Sequence, residues 1–187
     1  LSGVYRHVGA AGTVQRPTRR GPAMMFNSIK GHPDFRVLIG LLCSRQRVAR
    51  LLGVPAQALG QHLLQAVQYA VAPRLIEEAH PVCQQVVHRA EDPDFDLRRL
   101  LPAPTNTPED AGPYFTMGLA YAADPETGAH DVTIHRLCVQ GKDEISMYFV
   151  PGRHLDQFRI KAEQAGKALP ITISIGVDPA IEIATCF

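Results

Sequence analysis

Residues 114–150 constrain the fold more than any other part of the chain. YFTMGLAYAAD, HDVTIHRLCVQ and ISMYFV are rich in strand-forming residues, and the turns PETG and GKDE separate them. A parallel crossover needs about a dozen residues or more, so connections this short force the three segments to pair as an antiparallel meander. RHLDQFRIKAEQAGK then has the character of a helix, LPITISIGV of a strand, and DPAIEIATCF of the opening of another helix.

The middle segment raises a chemical question. In DVTIHRLCV, period-2 alternation puts Val132, Ile134 and Arg136 on one face and Thr133 and His135 on the other. Asp131, His135 and Arg136 thus share a packed strand, and buried ionisable groups need partners. Arg136 either lies beside an acid or a phosphate, or keeps its head in water at the rim of the sheet. PGRHL places Arg153 and His154 at a helix N-terminus, where free amides favour an anion. A phosphate there would receive both side chains. Asp131 and His154 together offer an oxygen and a nitrogen to a hard divalent cation, two donors where such an ion needs more.

The first half of the chain has a different pattern. AMMFNSI and FRVLIGLL are apolar strands around the turn KGHPD. SRQRVARLLGV is a helix with Ser44 as N-cap, and PAQALGQHLLQAVQYAV a second one with Pro55 in its first turn. GVYRHVGAAG has short helical character, RPTRRGP is a loop, and PVCQQVV is a further strand. Strands followed by helices make an α/β layer. DPDFDLRRLLPAPTNTPEDAGP holds five prolines in twenty-two residues, the composition of a surface linker. The expected organisation is an α/β domain over 1–110 and a second domain over 111–187.

Lysine plus arginine (19) balance aspartate plus glutamate (18), so charge supplies no reason to expect nucleic acid or an acidic membrane surface. Arg16, Arg19 and Arg20 fall in a loop without interleaved aromatics. No apolar run reaches the roughly 20 residues of a membrane span, and the start lacks the layout of a secretion signal, which makes the cytoplasm the expected compartment. Cys43, Cys83, Cys138 and Cys186 are scattered singly and read as reduced core thiols. The HExxH, CxxC and phosphate-loop signatures are absent, and GAAG does not follow a strand. No nucleophile elbow surrounds Ser28, and Cys186 has no evident histidine partner.

With these residues in place, the chain resembles the UbiD family of decarboxylases. D-V-T-I-H-R, the R-H that opens a helix, and GVDPAIEIATCF carry the likeness, and GVYRHVGAAGTVQRPTRRGPAMMFNSIKG and DPDFDLRRLLPAPTNTPEDAGPYF extend it over essentially the whole chain, toward the branch acting on hydroxylated benzoates such as protocatechuate and gallate. The resemblance implies an α/β domain followed by the start of a split β-barrel, like that of flavin reductases, that binds prenylated flavin mononucleotide (prFMN). Thr133, Ile134, His135 and Arg136 would line the cofactor, Phe149, Val150, Arg153 and His154 would form a second wall, and Thr185, Cys186 and Phe187 a third. Asp131 and His154 would hold manganese or magnesium, with potassium nearby. Many family members have asparagine in place of Asp131. Arg136 would be the catalytic residue, fixing the carboxylate of a small aromatic acid during reversible, non-oxidative loss of carbon dioxide.

The resemblance also implies a homo-oligomer, a dimer or a hexamer, a flavin prenyltransferase as cofactor supplier, and a third metal ligand and an acidic proton donor in sequence following Phe187. The chain opens on Leu1 and closes on AIEIATCF, and reads as truncated at both ends. Two rival readings stay open at this point: a flavin-binding module without chemistry, and a flavin reductase.

Overall fold

The computed structural model describes residues 22–74, 76–77 and 81–187, which form a mixed α/β structure with two antiparallel sheets. They belong to two compact units that divide between Leu101 and Pro102, inside the proline-rich segment. The expected helix over GVYRHVGAAG and the arginine-bearing loop at 16, 19 and 20 lie outside the described residues.

In the first unit, β1 (Met24–Phe26) pairs antiparallel with β2 (Val37–Ile39). Gly31 bends the connection at φ +83°, a left-handed value that a residue without Cβ adopts at no steric cost. The helices α1 (Arg45–Leu51) and α2 (Leu59–Gln68) follow. Two sequence expectations change in detail. Ser44 occupies the N-cap position, but its hydroxyl donates to Gln46 at 3.1 Å and makes no cap to the backbone. Pro55 opens a separate turn closed by Ala58 N–H to Pro55 O, so α2 begins four residues later.

The strand expected over PVCQQVV is a single 3-10 turn at Val82–Gln84. Val82 and Val86 are left exposed, with no partner strand among the described residues, so the β propensity of valine finds nothing there to pack against. Leu97–Leu100 forms the short helix α3, capped by Asp96, which accepts from Arg98 N–H at 3.0 Å. The cysteines also depart from expectation. All four are free, but only Cys138 is buried, while Cys43, Cys83 and Cys186 are exposed.

The second unit contains the meander. β3 (Tyr114–Ala123), β4 (His130–Val139) and β5 (Ile145–Met147) run consecutively, and β6 (Thr172–Ser174) joins the far edge, in the order β5-β4-β3-β6. Between β5 and β6 lies α4 (His154–Gln164), and α5 (Pro179–Ala184) follows β6. α4 packs on the sheet through Leu155 and Phe158 against Ala120 and Ala122, small residues that let helix and strand approach closely. Burial of a side chain such as Leu155, 2% exposed, stabilises the fold by about 1.5–3 kcal/mol. Lys161 of α4 reaches the β3–β4 turn, where its Nζ lies 2.7 Å from Asp124, whose carboxylate also accepts from Glu126 N–H at 2.9 Å.

Two irregularities shape the middle of this sheet. Phe115 pairs with Leu137 and Gly118 with His135, so Thr116 and Met117 together oppose the single residue Arg136. This is a bulge, which raises local twist and re-aims the side chains around it. Gly118 is required beside it, because a Cβ there would collide with Cδ1 of Leu137. The second irregularity is the shortness of β5, which pairs only with Leu137, Cys138 and Val139. Among the described residues, the outer edge of β4 from Asp131 to Arg136 is left without a neighbouring strand.

Candidate functional site

The chain leaves the sheet after Met147, and the departure opens a cavity of about 1030 Å³ beside the unpaired edge of β4. This volume lies near the upper end of the roughly 300–1,000 Å³ typical of small-molecule sites. β4 contributes Asp131, Thr133, Ile134, His135 and Arg136. The segment leading into α4 contributes Phe149, Val150, Arg153 and His154, and the end of the chain contributes Thr185, Cys186 and Phe187. Every cofactor, metal and catalytic candidate named from the sequence therefore borders one space. Sequence reasoning passed over Asp110, Tyr114, Cys138 and Tyr148, which border it too. The signal for Asp110 was its turn, since acidic residues in such sequences accept local backbone amides.

The open strand edge is itself a chemical surface. Val139 N–H is directed to the β3 side, where it donates to Pro113 O at 2.9 Å. By alternation, the peptide groups of Val132 and Ile134 turn the other way, into the cavity. Val132 N–H is satisfied there by the Asp131 carboxylate at 2.9 Å.

At one end stand Asp131 and His154. The second oxygen of Asp131 is 3.2 Å from His154 Nδ1. As a direct hydrogen bond, the contact has Nδ1–H donating, because a carboxylate only accepts. The spacing suits a cation as well: an octahedral ion with bonds near 2.1 Å has adjacent donors about 3.0 Å apart, close to the separation seen. His154 is largely exposed and Asp131 less so, which leaves room for further ligands. Among the described residues no group of three or more His, Cys, Asp or Glu side chains gathers around a common point. These two side chains could contribute two places of a cation's shell, with phosphate and water filling others.

Arg153 is the N-cap of α4, with extended backbone and no side-chain cap bond, so amides of the first turn remain available. Asp156 in that turn is buried, accepts Gly152 N–H at 3.0 Å and pairs with Arg159 at 2.7 Å. The hydrogen bond from Arg159, then that from Gly152, hold its carboxyl below the usual aspartate range. Arg159 also lies over the Phe149 ring, 5.6 Å from its centroid, and reaches Glu163 at 2.7 Å. Phe149 is thus pinned as a wall by a cation that is itself fixed from two sides.

His135 faces Phe149 with ring centroids 6.4 Å apart. Burial pushes its pKa down, opposed by a hydrogen bond to the Tyr148 backbone, which favours the neutral ring near pH 7. Arg136 is exposed to the cavity and, among the described residues, engages no other side chain in a hydrogen bond or ion pair. Of the two sequence readings for Arg136, the structure has the exposed one, with the guanidinium facing a cavity rather than open surface. At that same end Tyr114, opposite Cys138 across the strands, has its phenol pKa raised, first by a hydrogen bond with the Cys138 thiol and then by burial.

Comparison with known proteins gives a consistent result. Residues 74–187 match the family model described as the 3-octaprenyl-4-hydroxybenzoate carboxy-lyase Rift-related domain, and residues 5–67 the model for the N-terminal domain of the same carboxy-lyase. The chain is 52% identical to a gallate decarboxylase of Lactiplantibacillus plantarum, over all of this chain and 38% of that protein. Its structure is similar to that of an apo 3,4-dihydroxybenzoic acid decarboxylase from Enterobacter cloacae, with a TM-score of 0.87 and 60% identity, covering 100% of this chain and 38% of that one. An evolved dimeric form of the UbiD-class enzyme from Pelotomaculum thermopropionicum in complex with prFMN matches with a TM-score of 0.79 and 37% identity, over 87% of this chain and 37% of that one. The chain spans less than two fifths of the length of these relatives.

Proposed function

The chain belongs to the UbiD family of carboxy-lyases, and on that premise we propose that it is the amino-terminal, cofactor-binding part of a decarboxylase acting on a hydroxylated benzoic acid, gallate or protocatechuate. The observation that carries this reading is the arrangement along β4. Asp131 with His154 lies at one end of the cleft and Arg136 at the other, about 16 Å apart at a rise near 3.3 Å per residue. Such a cleft suits an elongated ligand with a phosphate at one end and a flat ring at the other.

In this reading Asp131 and His154 would hold manganese or magnesium, potassium would be a further cation of the site, and Arg153 and the first amides of α4 would add positive potential for the phosphate of prenylated FMN. The peptide edge of Ile134 offers a donor and an acceptor to a planar ring. Thr133, His135 and Phe149 wall the cleft on one side, Val150 continues that wall, and Thr185, Cys186 and Phe187 close it. Prenylated FMN, when bound, supplies the electron sink that takes up the charge left as carbon dioxide departs. Arg136 binds the substrate carboxylate through its planar fork of parallel donors. The net change is the replacement of the ring carboxylate by a proton, with release of carbon dioxide. The sheet is read as the first part of a split barrel. The protein is read as cytoplasmic, assembling as a homo-oligomer, dimer or hexamer, and receiving its cofactor from a flavin prenyltransferase.

The test is direct. The full-length protein, coexpressed with a flavin prenyltransferase, is incubated with gallate and protocatechuate, and the products are separated by chromatography. The corresponding phenol is expected from at least one acid. Absence of phenol from both, in protein whose prenylated FMN content is confirmed by mass, overturns the assignment.

A further inference from the structure

Asp156 is a buried carboxylate that the proposed reaction does not use. A buried charge has to be paired and hydrogen-bonded, and Asp156 meets that need through two neighbours. One oxygen accepts Gly152 N–H at 3.0 Å, and the other receives the Arg159 guanidinium through Nη2 at 2.7 Å and Nε at 3.3 Å. An ionised carboxylate offers an acceptor to each, whereas an amide would turn its NH2 toward one of the two donors.

Both neighbours lead to the same wall of the cleft. Val150, Pro151, Gly152 and Arg153 form a tight turn, closed by Arg153 N–H to Val150 O at 3.2 Å, with Gly152 at φ +79°. Proline followed by a glycine of positive φ is the order that a type II turn favours. Gly152 is held by both of its backbone groups, because its carbonyl accepts from Gln157 Nε2 at 3.0 Å while its N–H goes to Asp156. The turn joins Phe149 and Val150 to Arg153 and His154, and all four border the cavity. Arg159 does not border it. Its guanidinium meets the Phe149 ring from outside the cavity, 5.6 Å from the centroid, and its other arm rests on Glu163 at 2.7 Å. A guanidinium over an aromatic face is attracted to it. The backbone of the wall is therefore fixed by the turn, and the half-buried Phe149 ring is the part whose orientation still has to be set.

We propose that the Asp156–Arg159 pair is the positioning device of this wall: through Gly152 it sets the turn, and through Arg159 it holds the Phe149 ring in the orientation that flanks a flat cofactor ring. The inference rests on the flavin-binding reading, and it has a measurable consequence. A ring free to visit all three staggered wells of its first torsion spends about a third of its time in the one that walls the cleft, so the apparent dissociation constant of the flavin rises roughly threefold.

The probe is FMN, titrated by its fluorescence into the full-length protein loaded with manganese. Arg159→Gln keeps a donor for Asp156 and removes the cation, and FMN is expected to bind roughly threefold more weakly. The same substitution in a Phe149→Leu background is expected to add nothing, because a coupling that runs through the ring disappears with the ring. A residue that only stabilised α4 would weaken binding equally in both backgrounds. Asp156→Asn, which disturbs both arms, is expected to lose at least as much affinity as Arg159→Gln. Para-fluorophenylalanine placed at position 149 reads the ring without any cofactor: a single fluorine resonance is expected in the parent and a split or broadened one in Arg159→Gln. Unchanged FMN affinity in Arg159→Gln, an equal loss in both backgrounds, or an unchanged fluorine signal overturns the proposal. A parent protein that does not bind FMN overturns the cofactor reading instead, and the fluorine signal then decides alone whether Arg159 holds the ring.

Discussion

His154 Nδ1 stands 3.2 Å from a carboxylate oxygen of Asp131, twenty-three residues away in sequence. The contact joins the first residue of α4 to the second residue of β4, and it closes one end of the cleft. Its spacing suits either a direct hydrogen bond or two neighbouring ligands of one cation.

If the two side chains share a divalent ion, His154→Ala removes a ligand, and metal and prenylated FMN are expected to be lost together. Loss of a partner that only orients a ligand already costs about 10–100-fold in metal affinity, so removal of the ligand itself is expected to cost at least that. Asp131→Asn, which keeps an oxygen donor, is expected to be milder. Elemental analysis and flavin absorbance on full-length protein check both. Full manganese or magnesium occupancy in His154→Ala would remove this pair as a metal site.

Arg136→Lys keeps the charge and discards the fork. The variant is expected to fold, retain its flavin and lose on the order of 100-fold in turnover, since lysine cannot hold a carboxylate in two parallel hydrogen bonds. Near-normal turnover with flavin bound would return Arg136 to the role of a solvated rim residue, for which a surface substitution shifts stability by no more than about 0.5 kcal/mol.

Gly118→Ala tests the packing beside the bulge. The added methyl meets the tip of the Leu137 side chain, which is fully buried. Overpacking of this kind costs about 1–3 kcal/mol. Denaturant unfolding should show a lower midpoint at an unchanged slope, and a midpoint equal to the parent's would mean that the sheet yields at this position.

His135 leads to a prediction about pH. Its folded pKa lies below the ordinary value near 6.5, so below that value the unfolded chain takes up a proton that the folded one resists. The histidine's contribution is present above about pH 6.5 and is lost as pH falls from there toward the lowered folded pKa. His135→Gln, whose amide can still donate to the Tyr148 carbonyl, should flatten stability over that interval. Unfolding midpoints compared at neutral and mildly acidic pH read the difference, and parallel curves for the two proteins would exclude His135 as the group responsible.

Much of the second unit was written locally. Short turns obliged β3, β4 and β5 to form a meander, and the alternation in DVTIHR marked a strand whose ionisable residues needed a reason to be there. The helix beginning at His154 lies within the segment RHLDQFRIKAEQAGK that reads as helical. Local signals failed where partners were missing. PVCQQVV has strand composition, but among the described residues no neighbouring strand receives it, and the hydrogen bonds of a strand, unlike those of a helix, cannot be completed within one segment.

Tertiary structure alone decided that β5 ends three pairs along β4, that a bulge opposes Arg136, and that Asp110, twenty-six residues earlier, borders the same cavity as that arginine. Amino-acid order determines which residues lie on a strand, because steric preference and side-chain alternation act between neighbours. It does not reveal where a strand stops pairing or which loop is folded against it. Those outcomes depend on the register and packing of residues distant in sequence, such as Leu137 over Gly118 and Tyr114 bound to Pro104.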